Sequence, residues 1–289
     1  MRDTLVNTGD FLLQALGSNK KTLYIPNPGN AGDAAIASAT VQLLEKMALS
    51  FTLGRISDIR SGDHILVGGG GNLVPQYNDI RQIMLTCLSQ GIAQCILLPH
   101  TVRGHEDLLA QLDARFSLMC RDQASLDWVR QHAPRVHAVL ARDLVLELDI
   151  VALEQKTATW AHRWALMRDT QWLKGYFRWK RALHRVKPDA SRTLTILRFD
   201  VESVQQSSSR SYDLMRYNGL SYISPGVDEI TMDLIRSFRR ADRLITDRLH
   251  VSLIATMLGK PVCLLENSYG KLSAVWETAF HTAGRAGQR

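Results

Sequence analysis

Near the C-terminal end, Ile245-Thr246-Asp247-Arg248-Leu249-His250 reads as the last residues of a strand turning directly into a helix. Asp247 suits an N-cap, the apolar run Leu249 to Leu258 supplies the helix, Gly259 falls where a C′ glycine belongs, and Pro261 forbids continuation. Val262-Cys263-Leu264-Leu265 then reads as the next strand. The unit puts Arg248 and His250 in the first helical turn, where unpaired amides and the positive end of the helix dipole favour an anion. The same spacing suits a capping carboxylate beside two solvated side chains, so the residues alone leave both uses open.

Upstream, the strand–helix unit recurs. Thr22-Leu23-Tyr24-Ile25 is a strand that runs into Pro26-Asn27-Pro28-Gly29-Asn30-Ala31-Gly32-Asp33, a constrained loop, with Asp33 as the expected N-cap of a small-residue helix from Ala34 to Met47. His64-Ile65-Leu66-Val67 opens into Gly68-Gly69-Gly70-Gly71-Asn72, where the glycines let backbone approach another segment or a ligand closely. No register there completes G-x-G-x-x-G, and no Walker lysine follows. A helix from Asp79 to Gln90 leads to strand Gln94 to Leu98, which ends at Pro99-His100-Thr101; strand Phe116 to Cys120 ends at Arg121-Asp122; helix Gln123 to His132 and strand Val136 to Leu140 complete the series. This alternation predicts an α/β chain with a doubly wound parallel sheet. Asn30, Gly69, Gly70, Asn72, His100 and Arg121 then fall at strand carboxyl ends, the edge where open α/β sheets place ligands, and together they outline a cleft. Taken singly, His100 and Arg121 fit a structural polar role better.

With 289 residues, 45 % of them hydrophobic, the chain can build one large or two modest cores. No apolar run reaches the roughly 18 residues that span a bilayer, and Met1 to Gly17 lacks a basic n-region and a continuous apolar h-region. A cytoplasmic location is the expectation. Cys87, Cys95, Cys120 and Cys263 are scattered without metal-ligand spacing and read as buried thiols of a reducing compartment. A net charge of +7 and a pI near 9.4 favour anionic partners without choosing among metabolites, lipid surfaces and nucleic acid.

Composition shifts after Asp149. From Trp160 to Lys187 the chain carries four of its six tryptophans and eight Lys or Arg against one acid, with Trp160, Trp164, Trp172, Tyr176, Trp179 and Leu183 at helical spacing. One use is an interfacial helix on an anionic membrane; the other is a linker helix whose aromatic stripe packs internally. No recognisable nucleic-acid-binding module surrounds it. The expected division is residues 1–149, a linker at 150–190, and residues 191–289. In the last part, strand Thr193 to Leu197 delivers Arg198, Asp200 and Glu202, the polar stretch Gln205 to Ser211 reads as a loop able to act as a lid, and helix Val227 to Arg240 follows. Ser268 and Lys271 sit in a turn at a further strand end, and the tail from Thr282 is expected to be disordered.

Four anchors occur in order: Asn30-x-Gly32-Asp33, Gly68 to Asn72, Arg121-Asp122 before a helix, and Asp247-Arg248-Leu249-His250 with Gly259-Lys260-Pro261. With them the chain resembles the polysaccharide pyruvyl transferase family over most of its length. The resemblance implies two Rossmann-like domains facing across a GT-B-like cleft, with the acceptor on the first domain and the donor on the second; because the chain is short for two full domains of this kind, the C-terminal one is expected to be trimmed. It implies transfer of pyruvate from phosphoenolpyruvate to two hydroxyls of a sugar as a cyclic ketal, on a lipid-linked oligosaccharide of exopolysaccharide or cell-envelope synthesis. Phosphoenolpyruvate is then a co-substrate, and no cofactor or metal is implied. Arg198, Arg248, Lys271 and Ser268 are the donor-binding candidates, His250 the general acid, and Asp33 the base with His100 as substitute. Asn30, Gly69, Gly70, Asn72, His100 and Arg121 are the acceptor-side candidates. Two other functions stay open: a GT-B glycosyltransferase using a sugar nucleotide, and a non-catalytic membrane-surface scaffold of polysaccharide assembly.

Overall fold

The structure, a computed structural model, describes residues 3–17, 20–168, 170–198, 226–265 and 271–280. Asp200, Glu202, the stretch 205–211, Ser268 and the tail from Thr282 lie outside the described residues, as do the side chains of Trp172 and Lys271. The chain forms two compact units: Met1–Pro28, Ala39–Glu147 and Glu277–Arg289 in one, Gly29–Ser38 and Leu148–Trp276 in the other.

In chain order the first stretch runs α1 (Thr8–Leu16), β1 (Thr22–Ile25), α2 (Ala31–Lys46), β2 (Phe51–Leu53), β3 (His64–Val67), β4 (Gly70–Leu73), α3 (Asp79–Gln90), β5 (Gln94–Val102), α4 (Glu106–Leu109), β6 (Phe116–Cys120), α5 (Gln123–His132) and β7 (His137–Leu140). The seven strands make one sheet of order β2-β1-β3-β5-β6-β7, with β4 against the far half of β5, and every pairing is parallel. Strands β3, β5 and β6 are buried almost throughout. Burial on both faces is why they read as continuous apolar runs rather than alternating ones. The order reverses between β1 and β3, the switch point at which doubly wound sheets open a crevice beyond their carboxyl ends.

Local details depart from the expected elements for identifiable reasons. Helix α2 starts at Ala31, three residues early, because Asn30 rather than Asp33 is its cap. Strand β5 continues through Pro99-His100-Thr101 to Val102, so His100 lies within a strand. Pro99 has no amide for the ladder, and the β5–β6 register shifts between Leu97 and His100. The sequence reading passed over β2, a three-residue edge strand, and β4, whose Gly70 and Gly71 have low strand propensity. Cys87, Cys95 and Cys120 are buried as expected, whereas Cys263 is exposed.

The second stretch runs α6 (Ile150–Ala158), α7 (Trp160–Arg168), α8 (Thr170–Leu183), β8 (Thr193–Ile196), α9 (Gly226–Arg239), β9 (Arg243–Thr246), α10 (Leu249–Met257), β10 (Val262–Leu264) and α11 (Lys271–Phe280). Strands β10, β9 and β8 form a parallel sheet in that order. Helix α10 packs on β9 and β10 and ends in a Schellman motif, with the Lys260 amide on the Ala255 carbonyl and the Gly259 amide on that of Thr256.

The linker expected as one helix over 150–190 is broken at Thr159. The Thr159 hydroxyl accepts from the His162 amide and opens α7 after α6 has closed. Helix α8 turns Tyr176 and Trp179 onto α9, which supplies the acids. Trp179 is wholly buried and donates through its indole to Asp233 at 3.1 Å, Lys180 pairs with the same carboxylate, and the Tyr176 hydroxyl donates to Glu229. Lys156 of α6 reaches Asp228 at 3.0 Å. Cutting such a tryptophan back to alanine costs on the order of 3–5 kcal/mol, so this half of the segment belongs to the core of its unit.

Candidate functional site

The carboxyl edge of the β10-β9-β8 sheet collects the charged residues. Ile196, Thr246 and Leu264 are register partners, so the segments that leave all three strands start side by side. From β8, the Arg198 amide donates to Asp247 Oδ1 at 2.8 Å, which ties the ends of β8 and β9 together. Asp247 therefore braces two strand ends rather than capping α10. Arg248 takes the N-cap position with extended backbone, its amide donating to Thr246 Oγ1 at 3.0 Å. Asp247, Arg248 and His250 are all buried. Burial pushes the Asp247 carboxyl above its ordinary value, against the opposing pull of the Arg198 amide and of the Arg248 and Arg198 charges. Two guanidinium-bearing residues and an imidazole-bearing one thus gather at the start of one helix and the end of the adjacent strand. Lys271 opens α11 farther along the chain.

Asn30 and Asp33 form a capping box at the start of α2. The Asn30 side chain accepts from the Gly32 amide at 2.8 Å, and Asp33 reaches back to accept from the Asn30 amide at 2.7 Å. The Asp33 carboxylate occupies the space beside Gly29, where an added Cβ would lie 1.9 Å from Oδ2. These residues belong to the same compact unit as Arg198, Arg248 and His250.

The other unit builds a polar network at its switch point. Asn27, two residues after β1, donates from Nδ2 to the Gly69 carbonyl at 3.2 Å and accepts from Asn72 Nδ2 at 2.8 Å. His100 Nε2 accepts from the amides of Asn72 and Leu73, each at 3.2 Å, and lies 3.1 Å from Asn72 Oδ1. With Nε2 accepting, the neutral ring carries its proton on Nδ1. Gly68 makes this possible: its amide donates to the Ile25 carbonyl, and a Cβ there would sit 2.4 Å from the Asn27 backbone nitrogen. The structure thus brings Gly69, Asn72 and His100 together, with Gly70 the register partner of His100.

Arg121 is placed differently. It is 2 % exposed, with Nη1 2.7 Å from Asp143 Oδ2 and Nε donating to Thr101. Next to it, Asp122 caps α5 and pairs with Arg103 at 2.8 Å. Among the described residues, no three His, Cys, Asp or Glu side chains are grouped as a metal site needs.

The family model for polysaccharide pyruvyl transferases matches residues 30–269, a span that starts at the capping-box asparagine and contains every expected site residue except Lys271. The chain belongs to the polysaccharide pyruvyl transferase family. Membership implies transferase activity of that general kind, with a polysaccharide acceptor. This pyruvyl transferase family chain is also similar to the crystal structure of a functionally uncharacterized protein from Klebsiella pneumoniae subsp. pneumoniae NTUH-K2044, at 25 % identity and a TM-score of 0.72 over 93 % of this chain and 91 % of that one. No curated protein matches it significantly.

Two participants escaped the sequence reading of this pyruvyl transferase family member. Asn27 reads in the sequence as a turn residue, although its position two residues beyond β1, at the sheet's switch point, is a usable signal. Asp143 had none, since nothing local marks it as the partner of a guanidinium 22 residues away.

Proposed function

We propose that this protein transfers the pyruvyl group of phosphoenolpyruvate to two hydroxyls of a sugar on a lipid-linked oligosaccharide, closing a cyclic ketal, as a step of exopolysaccharide or cell-envelope polysaccharide synthesis at the inner face of the cytoplasmic membrane. One observation carries the reading: Arg198, Arg248 and His250 converge on the carboxyl edge of one parallel sheet. A donor with a phosphate and a carboxylate needs cationic clamps, and guanidinium groups meet both in bidentate fashion. Arg198 and Arg248 are the assigned clamps, with Lys271 and Ser268 completing the donor side.

In the proposed reaction His250 delivers a proton to the donor's methylene carbon, turning it into a methyl group and leaving an oxocarbenium-like centre at C2. One sugar hydroxyl adds there and gives its proton to a base, assigned to Asp33 with His100 as substitute. The C2–O bond to phosphate then breaks, phosphate leaves with its electron pair, and the second hydroxyl closes the ring as its proton passes to the phosphate, which departs as hydrogen phosphate. Asn30, Gly69, Gly70, Asn72 and Arg121 are assigned to the acceptor side, directly or by supporting it. The proposal includes the GT-B-like arrangement implied by the resemblance, with no cofactor beyond the donor.

The test is a melting-temperature comparison with phosphoenolpyruvate, UDP and inorganic phosphate, run on wild type, Arg248→Ala and His250→Ala. Stabilisation specific to phosphoenolpyruvate, lost in Arg248→Ala and kept in His250→Ala while turnover falls by about 100-fold or more, is the expected outcome. Stabilisation by UDP alone would replace this reading with a sugar-nucleotide glycosyltransferase. Full turnover in His250→Ala would remove the acid assignment.

A further inference from the structure

We propose that the exposed face of α7 is a docking site for an anionic lipid surface. Helix α7 has two unlike faces. His162 and Leu166 are buried and fix the helix to its unit, whereas Trp160 and Trp164, 80 % and 57 % exposed, and Met167, 53 % exposed, stand outward at the i, i+4, i+7 spacing of a single face. Four of the seven large apolar side chains exposed among the described residues fall between 160 and 177, Phe177 of α8 being the fourth. Isolated exposed apolar residues are ordinary, but a concentration of this kind marks an interaction surface.

Charge selects the occupant. Arg163 and Arg168 are exposed and, by their spacing from Trp160 and Trp164, lie on the same face of a helix whose residues 160–168 include no acid. The Arg168 guanidinium lies 4.5 Å from the centre of the Trp164 ring. Arg178, Arg181 and Arg185 are exposed on and just after α8. A second copy bound symmetrically through this face would set arginine against arginine. A bilayer interface with anionic headgroups accepts both components at once, tryptophan and methionine at the headgroup–acyl boundary and guanidinium groups at the phosphates. Among the described residues no helix is long and apolar enough to cross a membrane, which suits a contact lying in the interface. Helix α8 is excluded as the contact at Trp179, since that ring and its neighbours Tyr176 and Lys180 are engaged with α9.

This inference does not depend on the transfer reaction, and its test uses neither donor nor acceptor. The full chain is sedimented with phosphatidylcholine vesicles containing about one-third phosphatidylglycerol, and with pure phosphatidylcholine, at low salt. Wild type should bind the anionic vesicles and bind the neutral ones far less. Trp160→Ser with Trp164→Ser should lower the partition coefficient by about tenfold or more, and Arg163→Gln or Arg168→Gln by about fivefold each, with unchanged circular dichroism and melting temperature because all four side chains are exposed. Absence of wild-type sedimentation, or undiminished binding by the double tryptophan variant, would overturn the proposal. So would a wild-type dimer in light scattering that the tryptophan substitutions dissociate without any effect on vesicle binding, since a second copy would then be the occupant.

Discussion

Asp122 accepts from the Ser125 amide and hydroxyl while facing Arg103. Burial pushes its carboxyl upward, but the Arg103 charge and the hydrogen bonds from Arg103 and Ser125 outweigh that and hold it below the ordinary range. A carboxyl depressed in the folded state adds stability that is present above the unfolded value, near 3.9, and lost as pH falls through the folded one. Asp122→Asn should therefore cost about 1–3 kcal/mol at neutral pH and flatten the loss of stability below about pH 4, read from urea midpoints across that window. Asp247 has the opposite sign. Its raised carboxyl contributes stability that is full below the ordinary value and declines as pH rises through the folded one. That cost falls at the carboxyl edge of the β10-β9-β8 sheet, beside Arg248.

At the scale of elements, the break between β3 and β4 does the most to shape the switch point. The chain leaves β3 through Gly68, passes against the segment after β1, and resumes as β4 along the second half of β5. Gly68→Ala places a methyl group 2.4 Å from the Asn27 backbone nitrogen, and backbone cannot swing away as a side chain would. The substitution should destabilise by about 1–3 kcal/mol and lower the melting temperature by several degrees. It should also disturb the Asn27–Asn72–His100 network, which a change in the His100 imidazole NMR signals would report. Unaltered stability would mean that the run of glycines serves something other than this close approach. The run was legible as a place where backbone comes close. What it approaches was not, because Asn27 lies 41 residues earlier and only the parallel pairing of β1 with β3 brings the two together.

For the whole molecule, charge is the governing quantity. The chain carries +7, yet the acids of α9 take up several of the basic groups of the 150–187 region: Lys156 on Asp228, Lys180 on Asp233, and His162 beside Glu229. The remaining positive field should draw in an anionic donor and weaken with salt. With phosphoenolpyruvate as the proposed donor, raising ionic strength from about 0.05 to 0.5 M, which shortens the Debye length about threefold, should raise its KM several-fold while kcat changes little. Steady-state kinetics across that range would check it, and a salt-independent KM would argue that only the two local arginines matter.

The alternation of apolar runs with helical periods sufficed to specify an α/β chain with parallel strands, because a strand buried on both faces and an amphipathic helix each announce themselves within ten residues. Arg121 and Arg198 were legible as residues just past strand ends because strand ends are local, whereas Gly70, Asn72 and His100, expected at strand ends, lie within β4 and β5. Tertiary structure decided which polar residues pair and which face outward. Asp247 proved to be a brace between strands, Arg121 the partner of a distant aspartate, and Trp179 a member of the α8–α9 core while Trp160 and Trp164 stand on the exposed face of α7. Those outcomes depend on what lies across a gap that folding closes, and a carboxylate or an indole carries no local sign of its partner.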